Sequence, residues 1–229
     1  MRCLLLAAGL GTRLRPLTLQ TPKCLIEVRG RPMLQRWLEL LGRYGCDEVR
    51  INTHHLADQV EAFVRSYTGS LRPRTVHEPE LLGSAGTLRA NRDFFPPDEP
   101  VLVAYADNLT NADLGALRRA HQAAGRPLTM GLFQPADLRA TGVVELDADG
   151  RIVGFEEKPA HPRGTWANAG LYVMEGRVVD ALTAPDPADI ARDLVPHWLG
   201  RATGVPLSGY LRDIGTPAAY AAAQEEWPD

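Results

Sequence analysis

Residues 6–23, Leu-Ala-Ala-Gly-Leu-Gly-Thr-Arg-Leu-Arg-Pro-Leu-Thr-Leu-Gln-Thr-Pro-Lys, follow an apolar run, Cys3-Leu4-Leu5-Leu6, that reads as a buried strand. A strand, two glycines in three positions, then an arginine and a more distant lysine is a composition suited to cradling phosphates. Gly9 and Gly11 let backbone N–H groups approach phosphate oxygens closely. Arg13 and Lys23 supply the positive charge that makes the reacting phosphorus of a triphosphate electrophilic. Two familiar phosphate motifs do not fit. A dinucleotide fingerprint needs a third glycine at position 14, which is Leu14, and an acidic residue where the second strand ends in Asn52-Thr53. A P-loop needs Gly-Lys-Ser/Thr where this chain has Gly-Thr-Arg-Leu. An ordinary glycine turn accounts for Gly9 and Gly11, but not for Arg13 and Pro22-Lys23 in addition.

Apolar runs alternating with helical periods must position these residues. Arg2–Ala7 reads as a strand. Pro32 stands where a helix would open, and Leu34, Trp37, Leu38, Leu41 and Tyr44 recur at three- and four-residue steps until Gly45 ends the helix. Glu48–Asn52 and Arg74–His77 are further strands, with a helix over Leu56–Tyr67 between them. Gly83-Ser84-Ala85-Gly86 opens a helix through Asn91, and the strand Val101–Tyr105 ends in Ala106-Asp107-Asn108. A helix over Leu114–Ala124 and a strand over Leu128–Leu132 follow. This order predicts an α/β fold whose sheet is mainly parallel and covered by helices on both faces. Ligands of such sheets bind beyond the carboxyl ends of the strands, where the glycine loop, Gly83–Gly86 and Asp107 all fall. The second half changes character. Gly142–Leu146, Ile152–Glu156 and Ala169–Met174 are short strands, with a hairpin turn at Asp147-Ala148-Asp149-Gly150. Asp189–Leu199 and Pro217–Trp227 are helical.

The 229 residues bury a substantial core without disulfides, and Cys3, Cys24 and Cys46 form no CxxC pair. Sparse cysteines fit a reducing compartment. A net charge of -3 offers no electrostatic basis for binding nucleic acid. No leader pattern opens the chain, and no apolar run is long enough to span a membrane, so a soluble cytoplasmic protein is expected. His54, His55 and His77 have no carboxylate or cysteine at metal spacing and are expected to be ordinary loop or strand-end residues.

The stretch Leu-Ala-Ala-Gly-x-Gly-Thr-Arg-Leu-x-Pro-Leu-Thr, followed by Thr-Pro-Lys-Cys-Leu, resembles the signature of the sugar-1-phosphate nucleotidyltransferases. The resemblance continues in order through Leu82–Thr87, Asp107, Gly142-Val143-Val144, Phe155–Pro159, Asn168–Tyr172 and Asp213–Pro217. It implies a Rossmann-like mixed sheet with a small inserted sugar-binding portion. One domain over 1–229 is implied, its nucleotide-binding part about 1–135 and its sugar-binding part and closing helix about 136–229. The implied reaction joins an NTP and a sugar 1-phosphate into an NDP-sugar and pyrophosphate, by in-line attack on the α-phosphorus. Positioning and charge neutralisation would dominate such catalysis.

The resemblance also implies roles. Arg13 would grip the leaving β,γ-phosphates, and Lys23 would reach the α-phosphate. Leu6, Ala8, Gly9, Gly11 and Thr12 would line the nucleotide, with Gly83, Ser84 and Gly86 at the base. Asp107 and Asp213 would share Mg²⁺, since hard carboxylate oxygens plus phosphates suit that ion. Glu157 and Lys158 would take the sugar hydroxyls and phosphate, with Gly142 and Asn168 completing the sugar pocket. The family's usual glycine before the metal aspartate is Ala106 here, a change of one methyl group. A chain of this length is expected to have no room for the left-handed β-helix domain that some relatives append.

For the nucleotide, Leu-Gly-Ser-Ala-Gly is similar to the Leu-Gly-Thr-Ala-Gly of mannose-1-phosphate guanylyltransferases. Gly-Tyr-Leu-Arg-Asp-Ile-Gly-Thr-Pro resembles the ending of heptose-1-phosphate guanylyltransferases. GTP and a manno-configured sugar are therefore expected, with thymidylyl or uridylyl transfer as the alternative. A non-catalytic sugar-nucleotide sensor or subunit is the alternative of another class. Homo-oligomerisation is left open.

Overall fold

Parallel pairing begins at the amino terminus in the computed structural model, which describes residues 1–97, 99–183, 186 and 188–228. In chain order the elements are β1 (Arg2–Leu6), β2 (Glu27–Val28), β3 (Arg31–Pro32), α1 (Met33–Arg43), β4 (Glu48–Thr53), α2 (Ala57–Ser66), β5 (Arg74–His77), α3 (Gly83–Ala90), β6 (Val101–Tyr105) and β7 (Asn108–Thr110). They continue with α4 (Leu114–Ala124), β8 (Leu128–Phe133), β9 (Gly142–Leu146), β10 (Ile152–Glu157), β11 (Trp166–Met174), α5 (Gly176–Asp180), β12 (Ala202–Pro206), β13 (Leu211–Asp213) and α6 (Pro217–Glu226). The fold class is α/β, with parallel and antiparallel strands interleaved with helices. The chain divides into two units, each drawn from more than one stretch: Met1–Leu81, Ala104–Ala112 and Gly209–Asp229 in the first, Leu82–Val103 and Asp113–Ser208 in the second.

In the first unit β1 pairs with β4 and β4 with β5, all parallel. Cys3, Leu4 and Leu5 are fully buried, which explains why β1 reads as an unbroken apolar run rather than an alternating one. The helical period of the sequence becomes α1, whose Leu34, Trp37, Leu38 and Leu41 are buried. Burial of each such side chain is worth about 1.5–3 kcal/mol. Trp37 also donates its indole N–H to the Asn108 carbonyl at 3.0 Å, so α1 holds the residue that follows Asp107. A short antiparallel ribbon that sequence periodicity does not announce, β7 with β13, pairs Asn108 with Asp213. Three residues per strand carry too little alternation to be read.

The second unit carries most of the antiparallel pairing. β9 pairs with β10 and β11, and β11 with β8, all antiparallel, while β12 lies parallel to β8. The expected hairpin turn is present: Gly150, at φ +70°, donates to the Asp147 carbonyl at 3.1 Å. The expected continuous helix over Asp189–Leu199 is instead a single wide turn, Ile190–Leu194, followed by a 3₁₀ turn, Val195–Trp198. Pro196 lacks the N–H a continuing α-helix needs.

His121 lies on α4, its Nδ1 2.9 Å from the Thr129 hydroxyl. Burial lowers its pKa from the ordinary 6.5, and the nearby Glu175 carboxylate opposes this only in part. The unfolded chain then takes up the proton first, so the stability this residue contributes is present above about 6.5 and drains as pH falls. The thermal midpoint should fall between about pH 7 and 5, and His121→Gln should flatten that slope. Identical slopes for the two proteins would reject the assignment.

Among the described residues no helix is long and apolar enough to cross a membrane. All three cysteines are free and buried.

Candidate active site

The glycine loop, both cations and both acids of interest lie in the first unit. β1 ends at Leu6, whose carbonyl accepts from the Ala106 N–H at 3.0 Å. The Ala7 N–H donates to Asn52 Oδ1 at 2.6 Å, and the Asn52 amide donates to Glu78 Oε1 at 3.0 Å. Asn52 and Glu78 are both buried, at the carboxyl ends of β4 and just past β5. They fix where the loop leaves the sheet, a role sequence inspection missed. The available signal was a polar residue closing an apolar strand, which burial tolerates only when it is hydrogen-bonded.

Ala8 is buried, whereas Gly9, Leu10, Thr12 and Arg13 are exposed along the loop. Gly11 adopts φ +60°, and the Thr18 hydroxyl donates to its carbonyl at 2.8 Å. A Cβ at Gly11 would come within 2.7 Å of Thr18 Cγ2. Gly11→Ala should therefore destabilise by about 1–2 kcal/mol from backbone strain alone. Urea denaturation with an unmoved midpoint would contradict this.

Lys23 opens a 3₁₀ turn after Pro22 and is buried to 6% residual exposure. Its ammonium donates to Asp107 Oδ2 at 2.8 Å and to Asp213 Oδ1 at 3.0 Å. Arg13 Nη2 reaches Asp213 Oδ2 at 3.4 Å. Four residues spread over 200 positions thus meet within one unit, two cations against two anions. Asp107 follows β6, and Asp213 ends β13. The β7–β13 pairing brings the two acids together, and the Ile214 N–H donates to the Asp107 carbonyl at 3.4 Å. Beneath the ribbon, Leu14, Ile26, Met33, Leu109, Ile214 and Trp227 form one apolar cluster that ties the loop, α1 and the closing segment together.

Burial by itself lowers the Lys23 pKa, but the charges and hydrogen bonds of Asp107 and then Asp213 outweigh it and hold the ammonium above the usual lysine value. It is a permanent cation at neutral pH. Next to it, burial pushes the Cys24 thiol up to about 12, so that sulfur is neutral and carries no nucleophilic role. Among the described residues no three His, Cys, Asp or Glu side chains converge on a metal position. Two hard carboxylates already facing one cation are a donor pair that suits a divalent ion completed by phosphate oxygens.

The remaining expected residues lie in the second unit. Gly83, at φ +72°, opens α3, and a Cβ there would fall on the Ala188 carbonyl. The Ser84 hydroxyl accepts from the Ile190 N–H at 2.9 Å and lies 3.3 Å from Asp189 Oδ2, so it is engaged within its own unit. Gly86 is buried. Gly142 and Glu157 are direct partners in the β9–β10 register, and a Cβ at Gly142 would meet Phe155 at 2.7 Å and the Glu157 carboxylate at 2.9 Å. Lys158, at φ +49°, donates its backbone N–H to the Thr141 carbonyl at 2.9 Å, with its ammonium 3.7 Å from Glu157. Asn168 comes one residue after the Ala167–Val143 pair, level with Gly142, and its amide donates to the Tyr172 hydroxyl at 2.5 Å. Gly142, Glu157, Lys158 and Asn168 therefore form a second cluster.

The chain belongs to the Nucleotidyl transferase family, which it matches over residues 2–229. It is 33% identical over 245 residues to UTP–glucose-1-phosphate uridylyltransferase of Synechocystis sp., covering 100% of this chain and 60% of that protein. It is 32% identical over 224 residues to the mannose-1-phosphate guanylyltransferase catalytic subunit beta of Drosophila pseudoobscura pseudoobscura, covering 96% of this chain and 60% of that protein. The chain thus spans about 60% of the length of these curated relatives. The crystal structure of HddC from Yersinia pseudotuberculosis shares the fold, with a TM-score of 0.83 at 22% identity over 99% of both chains.

Proposed function

We propose that this protein is a sugar-1-phosphate nucleotidyltransferase. The observation that carries the proposal is the Lys23 ammonium set between Asp107 and Asp213 at 2.8 and 3.0 Å, with Arg13 beside Asp213. An oxygen of the sugar phosphate attacks the α-phosphorus of the NTP. The new P–O bond forms as the bond to the β-phosphate bridging oxygen breaks, and pyrophosphate leaves. No proton need move and no covalent enzyme intermediate is required. The protein brings two anions together and neutralises them.

Arg13 is exposed and, among the described residues, held by a single long contact, so it can turn to the leaving phosphates. Lys23 is buried and aimed by two carboxylates, and it acts on the α-phosphate when one of those contacts is exchanged for a phosphate oxygen. Ala8, Gly9, Gly11 and Thr12 line the nucleotide. Two cations against two anions leave this group of four without net charge. Asp107 and Asp213 would hold Mg²⁺, and that ion when bound supplies the additional positive charge a triphosphate requires. In the second unit, Gly83, Ser84 and Gly86 would serve the base. Glu157 and Lys158, with Gly142 and Asn168, would serve the sugar phosphate.

The loop Leu82–Gly86 favours GTP with a manno-configured sugar phosphate. The relatives named above act on both guanylyl and uridylyl substrates, so uridylyl or thymidylyl transfer to another hexose 1-phosphate is the competing reading. Pyrophosphate release measured across an NTP-by-sugar-phosphate matrix with Mg²⁺ separates them. The expected result is the fastest release with GTP and mannose 1-phosphate or a heptose 1-phosphate. Release only with UTP or dTTP would overturn the nucleotide assignment, and binding without release from any pair would overturn catalysis.

A further inference from the structure

Four arginines from separate segments of the second unit, Arg126, Arg151, Arg177 and Arg201, line one concavity of about 530 Å³ together with Trp198. None belongs to the site described above. Two of them already have carboxylates: Arg151 lies 3.2 Å from Asp149, and Arg177 2.6 Å from Glu175. The other two are pinned by neutral groups. Arg126 Nη1 donates to the Thr203 hydroxyl at 3.1 Å, and Arg201 Nη2 donates to the His197 carbonyl at 2.6 Å. The Arg201 guanidinium also lies 4.6 Å from the centre of the Trp198 ring. Neither has a carboxylate at ion-pair distance among the described residues.

We propose that this concavity is a binding site for a phosphate dianion carried on a small molecule. A guanidinium held by a hydroxyl, a carbonyl or an aromatic face has its orientation set while its charge and most of its N–H donors remain unspent. Two such groups beside one concavity call for an anion with two charges and several terminal oxygens, and a phosphate monoester has both. A single carboxylate could satisfy only one of the two forks.

The walls are fixed in advance. The Gly200 N–H donates to the Ile152 carbonyl at 2.7 Å and the Gly204 N–H to the Gly150 carbonyl at 2.9 Å, with a bridge between Arg151 and Thr203. These bonds staple the hairpin turn to the start of β12. Gly125, at φ +59°, ends α4 and delivers Arg126 to the same place. Such a site loses little freedom on binding. Trp198 Nε1 is buried without a hydrogen-bond partner among the described residues, which shows that its ring is placed by packing rather than by its polar edge.

The test is titration of the ¹⁵N-labelled protein with methyl phosphate, a minimal phosphate monoester, read by amide chemical shifts at about pH 7.5, above the monoester's second pKa of roughly 6. The amides of Gly125, Arg126, Gly200 and Arg201 should shift and saturate. In the Arg126→Gln/Arg201→Gln variant the apparent Kd should rise about tenfold or more. The wild-type measurement stands even if that variant folds poorly. Absence of saturable shifts at these amides would overturn the proposal. So would equal shifts with chloride at matched ionic strength, equal shifts with succinate, or an unchanged Kd in a folded double variant.

Discussion

Asp107→Asn is expected to lower turnover by about 10²–10³-fold or more while leaving the fold intact. The amide keeps the shape and can still accept the Lys23 hydrogen bond, but it cannot supply half of the negative charge that faces the ammonium at 2.8 Å. As a metal donor it loses the anionic oxygen that hard cations prefer. The stability cost should be small because the Asp107 side chain keeps 38% of its exposure and water screens the pair. Initial rates of pyrophosphate release and a Mg²⁺ titration check this. The variant should need more metal for half-maximal rate, and its thermal midpoint should stay within a few degrees of wild type. Turnover at the wild-type rate would remove Asp107 from the mechanism.

Lys23→Ala should act on kcat more than on KM, with a loss of about 10²–10³-fold. The ammonium is buried and points at both acids, so the variant leaves Asp107 and Asp213 facing each other without the cation that separates them. Their uncompensated mutual repulsion should make the variant less stable than the wild type at neutral pH. In the wild type a pH dependence comes from the lysine itself. Its folded pKa is raised, so the stability it contributes is complete below the unfolded lysine value of about 10.4 and is lost only as pH climbs through the higher folded value. Alkaline unfolding should therefore show a step in the wild type that Lys23→Ala abolishes. A normal kcat in the variant would reject its role at the α-phosphate, and an unchanged alkaline profile would reject the pairing.

Much of this was legible in the residues. The run Cys3–Leu6 is a strand because every side chain is buried on both faces. α1 is a helix because its apolar residues return at three- and four-residue steps. Gly9 and Gly11 are both legible as loop glycines, and the fold places Gly11 in the left-handed region, where a residue without a Cβ is favoured. The supports were not legible. Thr18, Trp37, Asn52 and Glu78 act through hydrogen bonds to backbone or amide partners up to 71 positions away, and no periodicity marks such contacts. The wide turn at Ile190–Leu194 also escaped, because its residue types are compatible with a regular helix.

The sequence by itself determined the chemistry available: which cations and acids exist, which glycines permit a tight turn, and which apolar runs must be covered. Tertiary structure decided who meets whom. Asp213 reaches Lys23 because β13 pairs with β7 just beyond Asp107, a ribbon of three residues per strand stabilised by packing over the Leu109–Ile214–Trp227 cluster and by the Trp37 bond to Asn108. So short a ribbon has no local preference strong enough to form alone. The union of charges 190 positions apart is thus a consequence of the core, which no local stretch of residues encodes.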